Sequence, residues 1–150
     1  MASSPARGVA IRERQDIVYR DVTGSASPAR ATTAPPTAKH RETHMADPVL
    51  LFRYSALTFN GHRIHYDRDY VTKVEGYPGL VFHGPMQAAL MMEFAARLRG
   101  AVPKMFSYRG VQPLFDGAEF SVNANETPAG MELWTANAEA MPTMKASAVW

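Results

Sequence analysis

A chain of 150 residues, 46% hydrophobic and 20% charged, is long enough for one hydrophobic core and composed like ordinary globular material. Its formal net charge of +2 is too small to point to nucleic acid, and no basic block is interleaved with aromatics. There is no cysteine, which excludes disulfides, thiolate nucleophiles and cysteine-ligated zinc. No apolar run approaches the ~20 residues a spanning helix needs, so no membrane association is expected.

Residues 1–15 are small, polar and weakly basic, and read as a flexible N-terminus. Arg7, Arg12 and Arg14 with Ser3 and Ser4 have some character of a mitochondrial transit segment, which Glu13 and Asp16 interrupt. The expected location is therefore cytoplasmic, with mitochondrial as the alternative. A single domain is expected over residues 16–150, beginning with an alternating strand at 16–22. Residues 23–45 follow as an Ala/Pro/Thr-rich insert, too poor in large apolar side chains to offset its ordering entropy, and are expected to be disordered.

Asp47 and Pro48 form a helix start, with Asp47 as N-cap and Pro48 at the first helical position. Leu50, Leu51, Tyr54 and Leu57 recur at helical spacing and predict its buried face. Asn60-Gly61 predicts its end, because both residues tolerate a left-handed backbone. Residues 62–67 then read as extended, with Ile64 and Tyr66 on one side and His65 on the other. Tyr77-Pro78-Gly79 is a turn signal.

From Gly84 to Gly100 the spacing of Met86, Leu90, Phe94 and Leu98, with small and apolar residues between, predicts a long helix buried on nearly all sides. Alternating segments follow at 105–111, 119–123, 131–135 and 143–149, separated by proline- and glycine-containing turns, and predict antiparallel strands. One long helix followed by a run of strands is an α+β arrangement, a sheet curled around a helix.

Chemistry concentrates at two places. His65 is a candidate general base near neutral pH, and Asn60, five residues earlier, can hold a water but cannot take its proton. The other reading of His65 is a histidine that satisfies a buried backbone carbonyl. His83-Gly84-Pro85 precedes the long helix, whose first N–H groups point outward and can stabilise an oxyanion. Pro85 has no N–H, so the donor must be Gly84 or a residue beyond the proline. An ordinary Gly-Pro helix start is the alternative. His62, His65 and His83 lack the spacing of a metal site, Ser55 and Ser107 lack a nucleophile elbow, and no Walker or dinucleotide glycine pattern is present.

The runs FRYSALTFNGHRIHYD at 52–67, EGYPGLVFHGPMQ at 75–87 and RGVQPLF at 109–115 together resemble the MaoC-like, R-specific enoyl-CoA hydratase family. The closest likeness is to its branch of 3-hydroxyacyl-thioester dehydratases and itaconyl- or mesaconyl-CoA hydratases, over residues 47–149. The resemblance implies a hot-dog fold, an antiparallel sheet wrapped around a central helix. It implies a hydratase or dehydratase of CoA or acyl-carrier-protein thioesters that uses no metal or redox cofactor.

Carried onto this sequence, the resemblance makes Asn60, His65 and Gly84 catalytic. His65 would activate water, and the Gly84 N–H would polarise the thioester carbonyl. Asn60 stands where the family motif has an Asp, which leaves His65 as the strong base. Tyr54, Ser55, His62, Arg63 and His83 are candidate substrate-binding residues. Phe52, Phe59 and Tyr66 would shape the acyl pocket, and Arg53, Arg63 and Arg68 could meet anionic ends of the ligand. Relatives in this branch usually carry two hot-dog units, whereas this sequence holds one. A homodimer, or pairing with a second unit, is therefore expected. The rival readings are a non-catalytic hot-dog interaction subunit and a hot-dog thioesterase, for which Glu93 is the only acid on the long helix.

Overall fold

The computed structural model of the chain describes residues 8–16 and 37–150. The predicted strand at 16–22, apart from Asp16, and residues 23–36 of the predicted insert lie outside these described residues. The rest of the insert does not behave as expected. His40–Met45 is a strand, β1, with alternating burial, paired antiparallel with a later strand from His40 opposite Ala124 to Met45 opposite Glu119. Its polar composition concealed it, because an edge strand needs an apolar partner more than apolar residues of its own.

Helix α1 (Pro48–Leu57) starts as expected, with the Asp47 carboxylate accepting from the Val49 N–H at 2.8 Å. It buries only Leu51 and Ser55, while Leu50 and Leu57 are exposed. A one-turn 3-10 helix (Arg63–His65) replaces the extended segment expected there. Helix α2 (Arg68–Lys73) follows, capped by Asp67, and buries Val71. Helix α3 (Gly84–Arg99) ends at Gly100 in the left-handed conformation, φ 75°. Its burial is narrower than its composition suggests: Met86, Gln87, Ala88, Met91, Phe94 and Ala95 face inward, whereas Met92, Glu93, Arg97 and Leu98 are exposed.

Strands β2 (Met105–Gly110), β3 (Glu119–Thr127), β4 (Gly130–Ala136) and β5 (Pro142–Val149) occupy the expected segments. They form one antiparallel sheet with β1, in the order β1-β3-β4-β5-β2. The last three strands are a meander, and β2 sits on the far rim beside β5. Phe120, Val122 and Leu133 from the sheet close on Met91 and Phe94 of α3, with Leu51 and Phe82 from the connecting segments. A fully buried side chain of this size contributes ~1.5–3 kcal/mol, so this contact fixes α3 against the sheet.

A bulge refines that fit. Thr135 pairs with Met144 but Ala136 pairs with Pro142, which leaves Thr143 as the extra residue. Both Thr135 and Thr143 hydroxyls lie within hydrogen-bond distance of Gln87 Oε1, at 2.7 and 2.8 Å, in a fully buried cluster on the first turn of α3.

Candidate active site

The end of α1 brings Ser55 and Asn60 together. Phe59 takes the left-handed conformation (φ 53°) expected of Asn60 or Gly61, and its N–H donates to the Ala56 carbonyl. The Asn60 N–H reaches back to the Ser55 carbonyl at 2.9 Å. This pair of bonds is a helix-ending motif that usually carries glycine, and a phenylalanine there is a strained exception. The helix therefore stops just before the expected Asn60-Gly61 pair.

Asn60 then turns the chain again. Its Oδ1 accepts from the His62 N–H at 3.0 Å, which settles the orientation of the amide and leaves Nδ2 as the free, donating end. A recess of about 300 Å³ lies over this corner, lined by Phe52, Ser55, Ala56, Phe59, Asn60, Gly61 and Tyr66. Three of the aromatics expected to shape an acyl pocket are thus on its wall. Phe59 is 95% exposed, so the wall is open on that side. The Tyr66 hydroxyl donates to the Gly61 carbonyl at 2.8 Å and braces the rim.

His65 is buried at the end of the 3-10 helix. Its Nδ1 lies 2.6 Å from the Val81 carbonyl, and only a protonated Nδ1 can bond a carbonyl. The two readings of this histidine are therefore compatible. One nitrogen satisfies a backbone oxygen, and the other, Nε2, keeps its lone pair. The Val81 carbonyl is a fixed acceptor. Leu80 and Phe82 are buried on either side, Phe82 N–H donates to Leu114 at 2.7 Å, and Val81 N–H donates to Ile64 at 2.9 Å. The buried Asp116 carboxylate accepts from the Leu80 N–H and pairs with Arg68.

His83, at the N-cap of α3, is 1% exposed and stacks on His65 with ring centroids 3.8 Å apart. Its Nε2 is 2.9 Å from Ser55 Oγ, and Tyr54 packs against its ring at 4.7 Å. Burial, reinforced by His65, pushes the His83 imidazole down to about 4. Burial also lowers His65, against the Val81 hydrogen bond and with a further contribution from His62, whose ring meets it edge-on. No side chain caps α3, so Gly84 presents its N–H beside this stack at the positive end of a 16-residue helix. Gly84 is not sterically obligatory, since a methyl group there would only touch Met144 at 3.6 Å.

The structure thus brings together Ser55, Asn60, His62, His65, His83 and Gly84, with Tyr54 behind His83. Two of the candidate arginines have carboxylate partners of their own. Arg63 is paired with Asp67 at 2.8 Å and lies over the Tyr70 ring, and Arg68 is held by Asp116. Arg53 is exposed and unpaired among the described residues. Glu93 is exposed and paired with Arg97 at 2.6 Å, away from the stack. His65, His83 and Gly84 are not on the wall of the recess; Ser55 links the two parts. The acceptor role of Val81 was beyond sequence reasoning, because a main-chain oxygen carries no residue signature. Among the described residues, no three His, Asp or Glu side chains are grouped to hold a metal ion.

An antiparallel sheet laid on one long helix is an arrangement shared with known hot-dog proteins. The unliganded R-hydratase PhaJ1 from Pseudomonas aeruginosa superposes with a TM-score of 0.64 over 76% of this chain and 79% of that one, at 16% identity. The chain has the hot-dog fold. It also matches the family model for hydroxyacyl-thioester dehydratase type 2 over residues 2–116. It belongs to that family, and the match reaches well upstream of residue 47, where the recognised motifs begin. Mesaconyl-C(4)-CoA hydratase of Chloroflexus aurantiacus is 50% identical over 116 residues, 76% of this chain and 41% of that protein. The mitochondrial hydroxyacyl-thioester dehydratase type 2 of Schizosaccharomyces pombe is 38% identical over 86 residues, 53% of this chain and 28% of that protein. The chain spans less than half the length of these curated relatives. Among the described residues, no helix is long and apolar enough to cross a membrane.

Proposed function

We propose that this chain carries the catalytic unit of a hydro-lyase, which adds water to the conjugated double bond of an acyl thioester or removes it. The observation that carries the reading is the bond from His65 Nδ1 to the Val81 carbonyl, which leaves Nε2 as an unprotonated base. In the hydration direction, Nε2 takes a proton from water as the water oxygen bonds to the β-carbon. The π electrons move to the thioester oxygen as an enolate, held by the Gly84 N–H and the positive helix end. The enolate collapses as the α-carbon takes the proton back from the imidazolium. Asn60 orients the water through Nδ2. No redox step is involved, and no metal or cofactor is required by this balance.

The thioester would be carried by CoA or acyl-carrier protein, and the similarity to a mesaconyl-C(4)-CoA hydratase supports a short acyl group. The half-length match and the exposed rim strand β2 support pairing with a second hot-dog unit, either another copy or a separate one. A reducing compartment, cytoplasmic or mitochondrial, fits the chemistry and the absence of cysteine. The exposed, ion-paired Glu93 speaks against thioester hydrolysis.

The test is absorbance of the enoyl-thioester band with crotonyl-, mesaconyl- and itaconyl-CoA. Loss of the band with one of them, reduced on the order of 10²–10⁴-fold in His65→Ala, is the expected result. An inert wild-type chain, or unchanged turnover in His65→Ala, would reject the reading and leave a non-catalytic subunit.

A further inference from the structure

The reaction proposed above does not use His83, although it is the more deeply buried of the two stacked imidazoles. We propose that His83 is a positioning residue whose Nε2–H donates to Ser55 Oγ, so that Ser55 turns its hydroxyl proton into the recess beside the Asn60 amide. The inference rests on the hydro-lyase reading and adds a donor to it.

Counting protons leads there. Among the described residues, His83 Nδ1 is the one buried side-chain nitrogen or oxygen without a hydrogen-bond partner. A neutral imidazole has a single N–H, and burying an N–H without an acceptor costs more than burying a bare lone pair. The proton therefore sits on Nε2, the nitrogen 2.9 Å from Ser55 Oγ. The opposite tautomer would make Ser55 the donor and strand an N–H in the core.

Ser55 Oγ then accepts, and its own proton needs a destination. Hydroxyls on helices usually donate to the carbonyl four residues back, as Thr58 does to Tyr54 and Thr72 does to Arg68. Ser55 makes no such bond among the described residues; its side-chain partner is His83 alone. Yet Ser55 lines the recess, and the bond from the Asn60 N–H to the Ser55 carbonyl holds the two residues at one corner. Two neutral donors, the Ser55 hydroxyl and Asn60 Nδ2, thus converge there, with Arg63 and Arg68 committed elsewhere. They suit a small oxygen acceptor, the water that adds or the 3-hydroxyl that leaves. The stacking of His83 on His65 ties this corner to the base.

The tautomer is read first, on the intact wild-type chain, from long-range ¹H–¹⁵N correlations of the histidine side chains. His83 is expected as the Nε2–H form and His65 as the Nδ1–H form; an Nδ1–H form of His83 overturns the proposal. Kinetics then test the role, on the thioester the wild type turns over. Ser55→Ala and His83→Phe, which keeps the ring and removes the donor, are each expected to lower kcat roughly tenfold or more with KM nearly unchanged. The double variant is expected to be no worse than either, and His83→Gln, which keeps a donor, to recover most of the loss. Unchanged kcat in Ser55→Ala, or strictly additive losses, overturns the proposal while an inactive His65→Ala leaves the hydro-lyase reading standing. Turnover surviving in His65→Ala, or an inert wild type, rejects both. If His83→Phe fails to fold, as its melting curve would show, Ser55→Ala and the tautomer still decide.

Discussion

The imidazoles of His65 and His83 lie face to face, 19° from parallel, with opposite nitrogens engaged: Nδ1 of His65 on a backbone carbonyl, Nε2 of His83 on a serine. Two buried rings 3.8 Å apart cannot both carry charge without strong repulsion. His83, held at about 4 by burial and by His65, is the ring kept neutral under ordinary conditions, while burial and His62 make His65 reluctant to protonate.

That reluctance sets the acid limb of activity. His65 is lowered from the ordinary value near 6.5, first by burial and further by His62, against the Val81 hydrogen bond. Turnover is expected to hold at pH 6.5 and to fall only on further acidification. His62→Ala removes the like-charge contribution, so its acid limb is expected to shift upward in a kcat/KM profile. An acid limb above pH 6.5 in the wild type would contradict the base assignment.

Stability should follow His83 in the same direction. Its folded pKa is below the unfolded one, so between about 4 and 6.5 the unfolded chain binds more protons, and stability rises with pH across that window. The loss on going from pH 7 to pH 4 is on the order of 3 kcal/mol from this group. Urea unfolding at several pH values measures it, and His83→Phe is expected to flatten the slope.

Gly79→Ala is expected to damage site and fold together. A methyl group at Gly79 would lie 2.7 Å from Asp116 Oδ1, the buried carboxylate oxygen that accepts from Leu80 N–H. Relief requires the Asp116 carboxylate to shift, which loosens its bond to the Leu80 N–H next to Val81, the acceptor of His65. A loss of roughly 1–3 kcal/mol is expected in thermal unfolding, with lower kcat per folded molecule.

Gly130→Ala is the structural counterpart. Gly130 has φ 146°, and a methyl group there would stand 2.1 Å from the Ala148 carbonyl oxygen across the β4–β5 pair. The expected result is a melting temperature lower by several degrees, about 2–4 kcal/mol, with kcat per folded molecule retained because the clash is remote from the stack.

Helix starts and strand positions were legible because they rest on local chemistry: Asp47-Pro48, Gly84-Pro85, and alternation between turns. Asn60 and His65 are connected through Ser55, which Asn60 N–H meets at its carbonyl, and through His83, which bonds Ser55, stacks on His65 and directly precedes Gly84. What escaped was set by tertiary partners. β1 is polar and is a strand because β3 offers it a ladder. Residues 62–67 curl because Asn60 caps His62 and Asp67 caps α2, so alternation misled there. The carboxylate partners of Arg63 and Arg68, Asp67 and Asp116, were not legible either, one being four positions away and the other 48.

The strand order has a consequence for how the molecule assembles. β3, β4 and β5 are joined by short turns, whereas β1 and β2 attach at opposite rims through partners far along the chain. All of residues 46–104, which include the catalytic candidates, cross from one rim to the other between them. Local contacts form faster than distant ones, so the meander is the natural nucleus and the crossover the last part to settle. The chemistry would then be switched on only at the final step of folding, and amide protons of β4 would gain protection in refolding before those near His65.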